Sequence, residues 1–311
     1  MPISGPTGDD EFTAMARRVS NWGRWGTDDA RGTLNLVGLP GQARPTAGMA
    51  GRSVSLARPL SNHNGPEFAI HPAPVHFMMR TGESAPADGF GTSADWIGVG
   101  CHGFGVTHID ALSHVFWNGK MYNGVDAAKA STSAGSHVGS VEEFGSGVVT
   151  RGVLLDVPRA RGVPWLDLSE AVTPDDLDRC ERNQQVEVAT GDTVYIRTGI
   201  RLRQLERGRH SPMADGHPGL DPSCIPWLRE RDIAILGSDS ANDVVRPGER
   251  PAMPVHVLAL VFMGMPLVDN ADLEELATAC AEGRSWTFWS VLAPLLIRRG
   301  TGSPVNPLAV F

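Results

Sequence analysis

Glycine and proline constrain this chain more than anything else in it. With 36 glycines and 23 prolines among 311 residues, long uninterrupted helices are disfavoured and short strands joined by many turns are favoured. Gly152–Val157, Thr193–Arg197 and Ile233–Gly237 are apolar runs between such breaks and read as buried strands. Ser53–Leu60, Val75–Met79 and Asp95–Gly100 read as further strands, and Trp286–Ile297 closes the sheet. Helical spacing runs over residues 9–21, with Phe12, Met15, Ala16 and Val19 on one stripe and Asp9 or Asp10 as cap. Thr173-Pro174-Asp175-Asp176 opens a capped helix. Residues 199–208 read as a basic amphipathic turn or helix, and 222–231, Val255–Met263 and Ala271–Ala281 as helices, the last capped by Asn270 or Asp269. Strands with irregular helical connections and no internal repeat predict an α/β (α+β) chain. Its division is an N-terminal helical arm, residues 1–50, and a single large domain, residues 51–311.

Several function classes are set aside by composition. A hydrophobic content of 41% and 20% charged residues suit a globular protein large enough to need no disulfides. A net charge of -8 without a basic block argues against nucleic acid and anionic membrane surfaces. Cys101, Cys180, Cys224 and Cys280 lie far apart, forming neither a zinc knuckle nor a disulfide framework. The N-terminus lacks the features of a signal peptide, and the apolar run Val255–Val268 is too short for a bilayer, so a cytoplasmic setting is expected. No nucleophile elbow, Walker loop or dinucleotide fingerprint is present. The arginines at 201, 203, 207 and 209 read as a solvated face.

Chemistry concentrates in the stretch from Cys101 to His114, which holds three of the ten histidines. On an extended segment, His108 and Asp110 share one face because side chains alternate with period two. An imidazole and a carboxylate so placed suit a divalent cation such as zinc or manganese. If a helical turn starts near Asp110, His114 projects on the same side, four residues on. The structural alternative is that Thr107 and Asp110 cap a helix beginning at Ala111. Gly103 and Gly105, and the scarcity of charge nearby, favour a site over a solvated face. His63, His71 and His76 read as surface or hydrogen-bonded histidines, and Asp239 as a turn residue or one orienting His256 or substrate.

Thr107-His108-Ile109-Asp110-Ala111-Leu112-Ser113-His114 resembles the signature of the cyclase family, His-x-Gly-Thr-His-x-Asp-x-Pro-x-His, which includes bacterial kynurenine formamidases and isatin hydrolases. The resemblance extends to Gly152–Asp156, Ile235–Asp239, and His256 followed by Pro266–Asn270, and so covers roughly residues 52–298. It implies a mixed β/β/α fold of the swivelling type, assembled as a homodimer or homotetramer. It also implies one or two divalent ions, zinc or manganese, at His108, Asp110, His256 and Asp269, with Asp110 bridging and His114 moving the proton. Trp25-Gly26-Thr27-Asp28-Asp29 resembles the opening of longer family members, which would make Trp25 a wall of the substrate pocket.

Three positions depart from the pattern. Phe104 stands where the family has its first histidine and becomes a pocket wall, while His102, two residues earlier, substitutes only if the loop shifts. Asp269 replaces a glutamate and could bind metal or cap the following helix. Leu112 replaces the proline of the motif. The resulting expectation is a metal-dependent hydrolase of a small cyclic or aryl amide, formamide or lactone. A cyclase or dehydratase of lyase type, with reduced or no metal dependence, is the alternative, and a small-molecule binding protein on a degenerate scaffold is a third reading.

Overall fold

In the computed structural model, which describes residues 9–40, 42, 51–248 and 253–311, the apolar runs become strands of one nine-stranded sheet. These are β1 Ser53–Ser55, β2 His108–Asp110, β3 Val148–Asp156, β4 Thr193–Arg197, β5 Ile235–Ser238, β6 Leu267–Asp269, β7 Thr287–Leu292, β8 Gly302–Pro304 and β9 Leu308–Val310. Their spatial order is β1-β9-β7-β3-β4-β5-β6-β2-β8. The four strands from β3 to β6 are parallel to one another. Every other pairing within this sheet is antiparallel.

Parallel neighbours require crossovers, and most of the helices lie in these. Those that shape the core and the site are α1 Asp9–Val19, α2 Pro174–Gln184, α3 Ile200–Arg207, α4 Cys224–Glu230, α5 Pro254–His256 and α6 Glu274–Gly283, and the short helices Ala127–Ala130, Val157–Arg161 and Pro212–Asp215 lie between them. A π-helix, Val257–Met263, continues α5 without a break and is buried on nearly every side, as its unbroken apolar sequence requires. The capping box expected at Thr173 is formed, with Asp176 accepting from the Thr173 amide at 2.8 Å.

Alternation along the strands sorts the core into layers. Val153, Leu155, Val194, Ile196, Leu236 and Leu267 face α2, α4, α5 and the π-helix. Leu154, Tyr195 and Phe288 face α6 on the other side. Phe12, Ala16 and Val19 of α1 are buried in the first of these layers, so α1 belongs to the same core as the sheet. The cap expected at Asp9 or Asp10 lies outside the described side chains.

The helix expected from Ala271 begins at Glu274 instead, with Leu273 as N-cap and no side-chain cap bond, because Asp269 and Asn270 point elsewhere. The closing strand stops at Leu292, and the chain re-enters the sheet twice, as β8 and β9. These are three residues each, too short to carry a periodic signal. Val75–Arg80 and Ala94–Gly98 pair only with each other, as a hairpin outside the main sheet. No helix among the described residues is long and apolar enough to cross a membrane.

Candidate functional site

The site is built where β2 lies between β6 and β8. The antiparallel register sets His108 directly opposite Asp269, and Asp110 opposite Leu267. Leu267 packs under α5, so the three polar side chains that share its face point to the same layer. Ile109 and Val268, one residue out of phase, sink into a separate cluster on the opposite face. From above, His256 at the end of α5 brings its ring down to them. Asp243 fixes it there: one carboxylate oxygen accepts from Val255 N at 2.6 Å, the other from His256 N at 3.0 Å and from the His256 ring at Nδ1, 2.6 Å. The same side chain thus caps the helix and turns Nε2 toward the strands.

Asp110 is the hub. Its Oδ1 lies 2.8 Å from His102 Nδ1 and 3.3 Å from His108 Nε2. Its Oδ2 lies 3.4 Å from His256 Nε2 and 4.0 Å from His114 Nε2. Asp269 Oδ2 is 3.2 Å from His256 Nε2 and 3.9 Å from His108 Nε2, while its Oδ1 accepts from Asn242 Nδ2 at 2.5 Å. His108 Nδ1 is taken by the Val106 carbonyl at 2.8 Å, which leaves Nε2 for the centre.

Two groups of potential ligands share Asp110: His102, His108 and Asp110, and Asp110, His256 and Asp269. Within each, the donor atoms lie within 4.8 Å of one another. Asp110 is fully buried, yet its Oδ2 has no hydrogen-bond partner. A buried carboxylate oxygen with no donor closer than His256 Nε2, 3.4 Å away, is a favourable place for a cation. Imidazole nitrogens and carboxylate oxygens in these numbers therefore fit one or two divalent ions.

The charges in this cluster act on one another. Burial would raise Asp110, but His114, His108 and His102 outweigh it and hold the carboxyl well below its usual range. Burial also presses on His102, whose hydrogen bonds to Asp110 and Cys101 nonetheless raise it to about 10. His114 is pushed down to about 4 by burial and by the neighbouring imidazoles, against the pull of Asp110. The His102 and His114 rings stack at 3.6 Å, so protonating one disfavours protonating the other.

A cavity of about 130 Å³ opens onto this cluster, with Ile70, Phe104, Ala241 and Met253 as its apolar wall. His114 stands at its edge, turn-bound through its amide to the Ala111 carbonyl at 3.0 Å rather than on a helix. His108, Asp110, His114, His256 and Asp269 are thus brought together, with Phe104 beside them. Trp25 is not. It lies away from the cavity, under the Arg24 guanidinium, which sits 4.7 Å from the ring and pairs with Asp232.

His102 meets the condition set for it, a shifted loop. The segment after Cys101 bends instead of extending, Gly103 adopts a φ of +100°, and the His102 ring folds back onto Asp110. Thr301 holds its Nε2 at 3.0 Å. Gly302 makes the room, since a Cβ there would stand 2.7 Å from His102 Cε1. Asp239 takes the turn role: it accepts from Thr198 N, Thr198 Oγ1 and Gly199 N, and the residue orienting His256 is Asp243. His71, read as a surface or hydrogen-bonded histidine, lines the cavity. Asn270, left-handed with φ 57°, donates to the Gly103 and Val106 carbonyls and ties the loop down. Asp243 carries no local motif, and the sequence offers Asn270 only as a helix cap and as the last residue of the Pro266–Asn270 resemblance.

Known proteins share this architecture. A crystal structure of a novel cyclase is 30% identical, covers 95% of this chain and 99% of its own, and has a TM-score of 0.83. Isatin hydrolase A from Labrenzia aggregata, bound to benzyl benzoate, has a TM-score of 0.57 at 23% identity, over 83% of this chain and 93% of its own. Isatin hydrolase A from Ralstonia solanacearum has a TM-score of 0.56 at 22% identity, over 83% and 91%. At that identity the likeness to the isatin hydrolases is one of fold. No curated protein matches the sequence. The Cyclase family model, described as "Putative cyclase", matches residues 54–242, more than half of the chain, and with the near-complete overlap on the novel cyclase it establishes that this chain belongs to the Cyclase family.

Proposed function

We propose that this chain is a metal-dependent hydrolase of a small cyclic or aryl amide, formamide or lactone. The observation that carries the reading is Asp110, a buried carboxylate whose two oxygens face two different sets of ligand atoms and whose Oδ2 lacks a donor. His102, His108 and Asp110 would hold one ion, and Asp110, His256 and Asp269 a second, zinc or manganese being suited to this mixture of nitrogen and oxygen donors. Such an ion supplies Lewis acidity toward a carbonyl and lowers the pKa of water. The protein's own groups do the rest. Ile70, Phe104, Ala241 and Met253 offer an apolar wall for an aryl ring and exclude water from one side of the scissile bond. His114, at the cavity edge with its side chain 28% exposed, is the imidazole with room to take a proton from water and pass it to the leaving nitrogen or oxygen.

The lyase-type alternative rests on the two changed ligand positions, Phe104 and Asp269. His102 beside His108 and Asp110 supports a complete first set and favours hydrolysis. We further infer a cytoplasmic setting and assembly as a homodimer or homotetramer. The assembly's support is the hairpin, where Phe77, Met79, Trp96 and Ile97 are exposed on a two-stranded ribbon that no other strand among the described residues joins.

Elemental analysis of protein purified without added metal, joined to a panel of N-formyl aryl amines, lactams and lactones assayed with and without a chelator, tests the function. Near-stoichiometric zinc or manganese with chelator-sensitive hydrolysis is the expected result. Turnover of a panel member by metal-stripped protein at the untreated rate overturns it.

A further inference from the structure

A second cavity, of about 60 Å³, is lined by Phe68 and by Gly105, the residue next in the chain to Phe104, which with Gly103 lines the first. Arg58, Arg201 and Arg209 converge on it, with Gln204 and His63. Arg201 and Gln204 come from α3, and Gly208, with a φ of +86°, ends that helix and turns Arg209 back to the same place. Only part of the arginine run is therefore a solvated face. Arg207 covers Trp165 and Arg203 reaches toward Asp167, but Arg201 and Arg209 serve this cavity.

The charges there are incompletely matched. Arg209 pairs with Glu67 and Arg201 with Asp272 at 3.5 Å. Arg58 has no carboxylate within ion-pair distance among the described residues: it donates to the Asp239 carbonyl, and its Nε is buried without a partner. Burial holds this guanidinium down at about 10, against the more distant attraction of Asp239, Asp272 and Glu67. Such a concentration of positive charge stands out in a chain of net charge -8. Glu67 is the single acidic side chain lining the cavity, and three arginines outnumber it. An inward guanidinium without a counter-charge calls for an anion, and the planar fork of arginine matches carboxylate or phosphate oxygens.

We propose that this cavity is a binding site for a small anionic group, a carboxylate or a phosphate, held by Arg58, Arg201 and Arg209. Binding of the anion there needs neither metal nor turnover, so it can fail or hold separately from the reaction proposed above. Its anion is either free in solution or the charged end of a ligand whose other end reaches the neighbouring cavity.

The test is binding of inorganic phosphate to the whole protein by calorimetry at constant ionic strength, with chloride as the reference anion. The wild type binds phosphate in preference to chloride, and Arg201→Gln and Arg209→Gln each weaken it about tenfold, the loss of one charge-assisted contact. These two side chains are partly exposed, so both variants are expected to fold, which their unchanged circular dichroism establishes. No preference for phosphate in the wild type, or equal affinity in wild type and both variants, overturns the proposal; the second result places the phosphate elsewhere, for instance on a metal. Competition between phosphate and either 4-formamidobenzoate or formanilide identifies the source. Displacement by the carboxylated compound alone assigns the site to the tail of a ligand, and absence of displacement by either assigns it to a free anion.

Discussion

Replacing Asp243 by asparagine probes the site through a residue that touches no substrate. The native carboxylate accepts three hydrogen bonds within the buried interior, from Val255 N at 2.6 Å, His256 N at 3.0 Å and His256 Nδ1 at 2.6 Å. Asparagine is isosteric but offers acceptor lone pairs on one side only. If its oxygen faces Val255 N, its NH2 confronts both His256 groups. The ring then carries its proton on Nε2, the atom 3.4 Å from Asp110 and 3.2 Å from Asp269, and loses the lone pair that faces the centre. If its oxygen faces His256, the Val255 amide at the start of α5 is left buried and unpaired. One unsatisfied buried donor costs about 1–3 kcal/mol, so urea unfolding should show a loss of about that size. Removing a partner that orients a ligand imidazole lowers metal affinity or activity by about 10–100-fold. Competition with a chromophoric chelator measures the affinity, and turnover on the substrate panel should fall in parallel. Asp243→Asn protein with zinc affinity and turnover within twofold of wild type would refute the orienting role.

Gly302→Ala places a methyl group 2.6 Å from the Ile109 carbonyl and 2.7 Å from the His102 ring, so His102 is displaced. Metal content should drop while the protein loses about 1–3 kcal/mol of stability, read by elemental analysis and urea melts. His114→Ala should lower turnover by about 10²–10⁴-fold with inhibitor affinity retained, the range expected for loss of a proton-transfer group; a loss of binding in proportion would contradict its assigned role. Trp25→Ala should leave KM within twofold, since the ring lies under Arg24 and outside the cavity; a large rise in KM would bring Trp25 back into the pocket. Phe104→Ala removes a 4% exposed ring that packs with Ala241 and Val245, and should destabilise the protein by about 3–5 kcal/mol in thermal or urea unfolding.

What the sequence determined by itself is what depends on local periodicity and residue chemistry. His108 and Asp110 share a face because alternation is built into any extended segment, and His114 follows within one turn. The buried strands from Gly152, Thr193 and Ile233 are legible for the same reason, as is the helical stripe of Phe12, Ala16 and Val19. What only the tertiary structure decided depends on where separate segments meet. Nothing local sets Asp269 opposite His108, because that is the register of two strands about 160 residues apart in sequence. Nor does spacing reveal that His102, six residues before His108, folds back to Asp110: the bend at Gly103 and the space above Gly302 allow it. Asp243 looks like one more loop aspartate until α5 is laid over it, and Arg58 looks like one more surface arginine until α3 brings Arg201 alongside. Side-chain direction is a short-range property of the backbone, whereas convergence of charges is a property of the packed core.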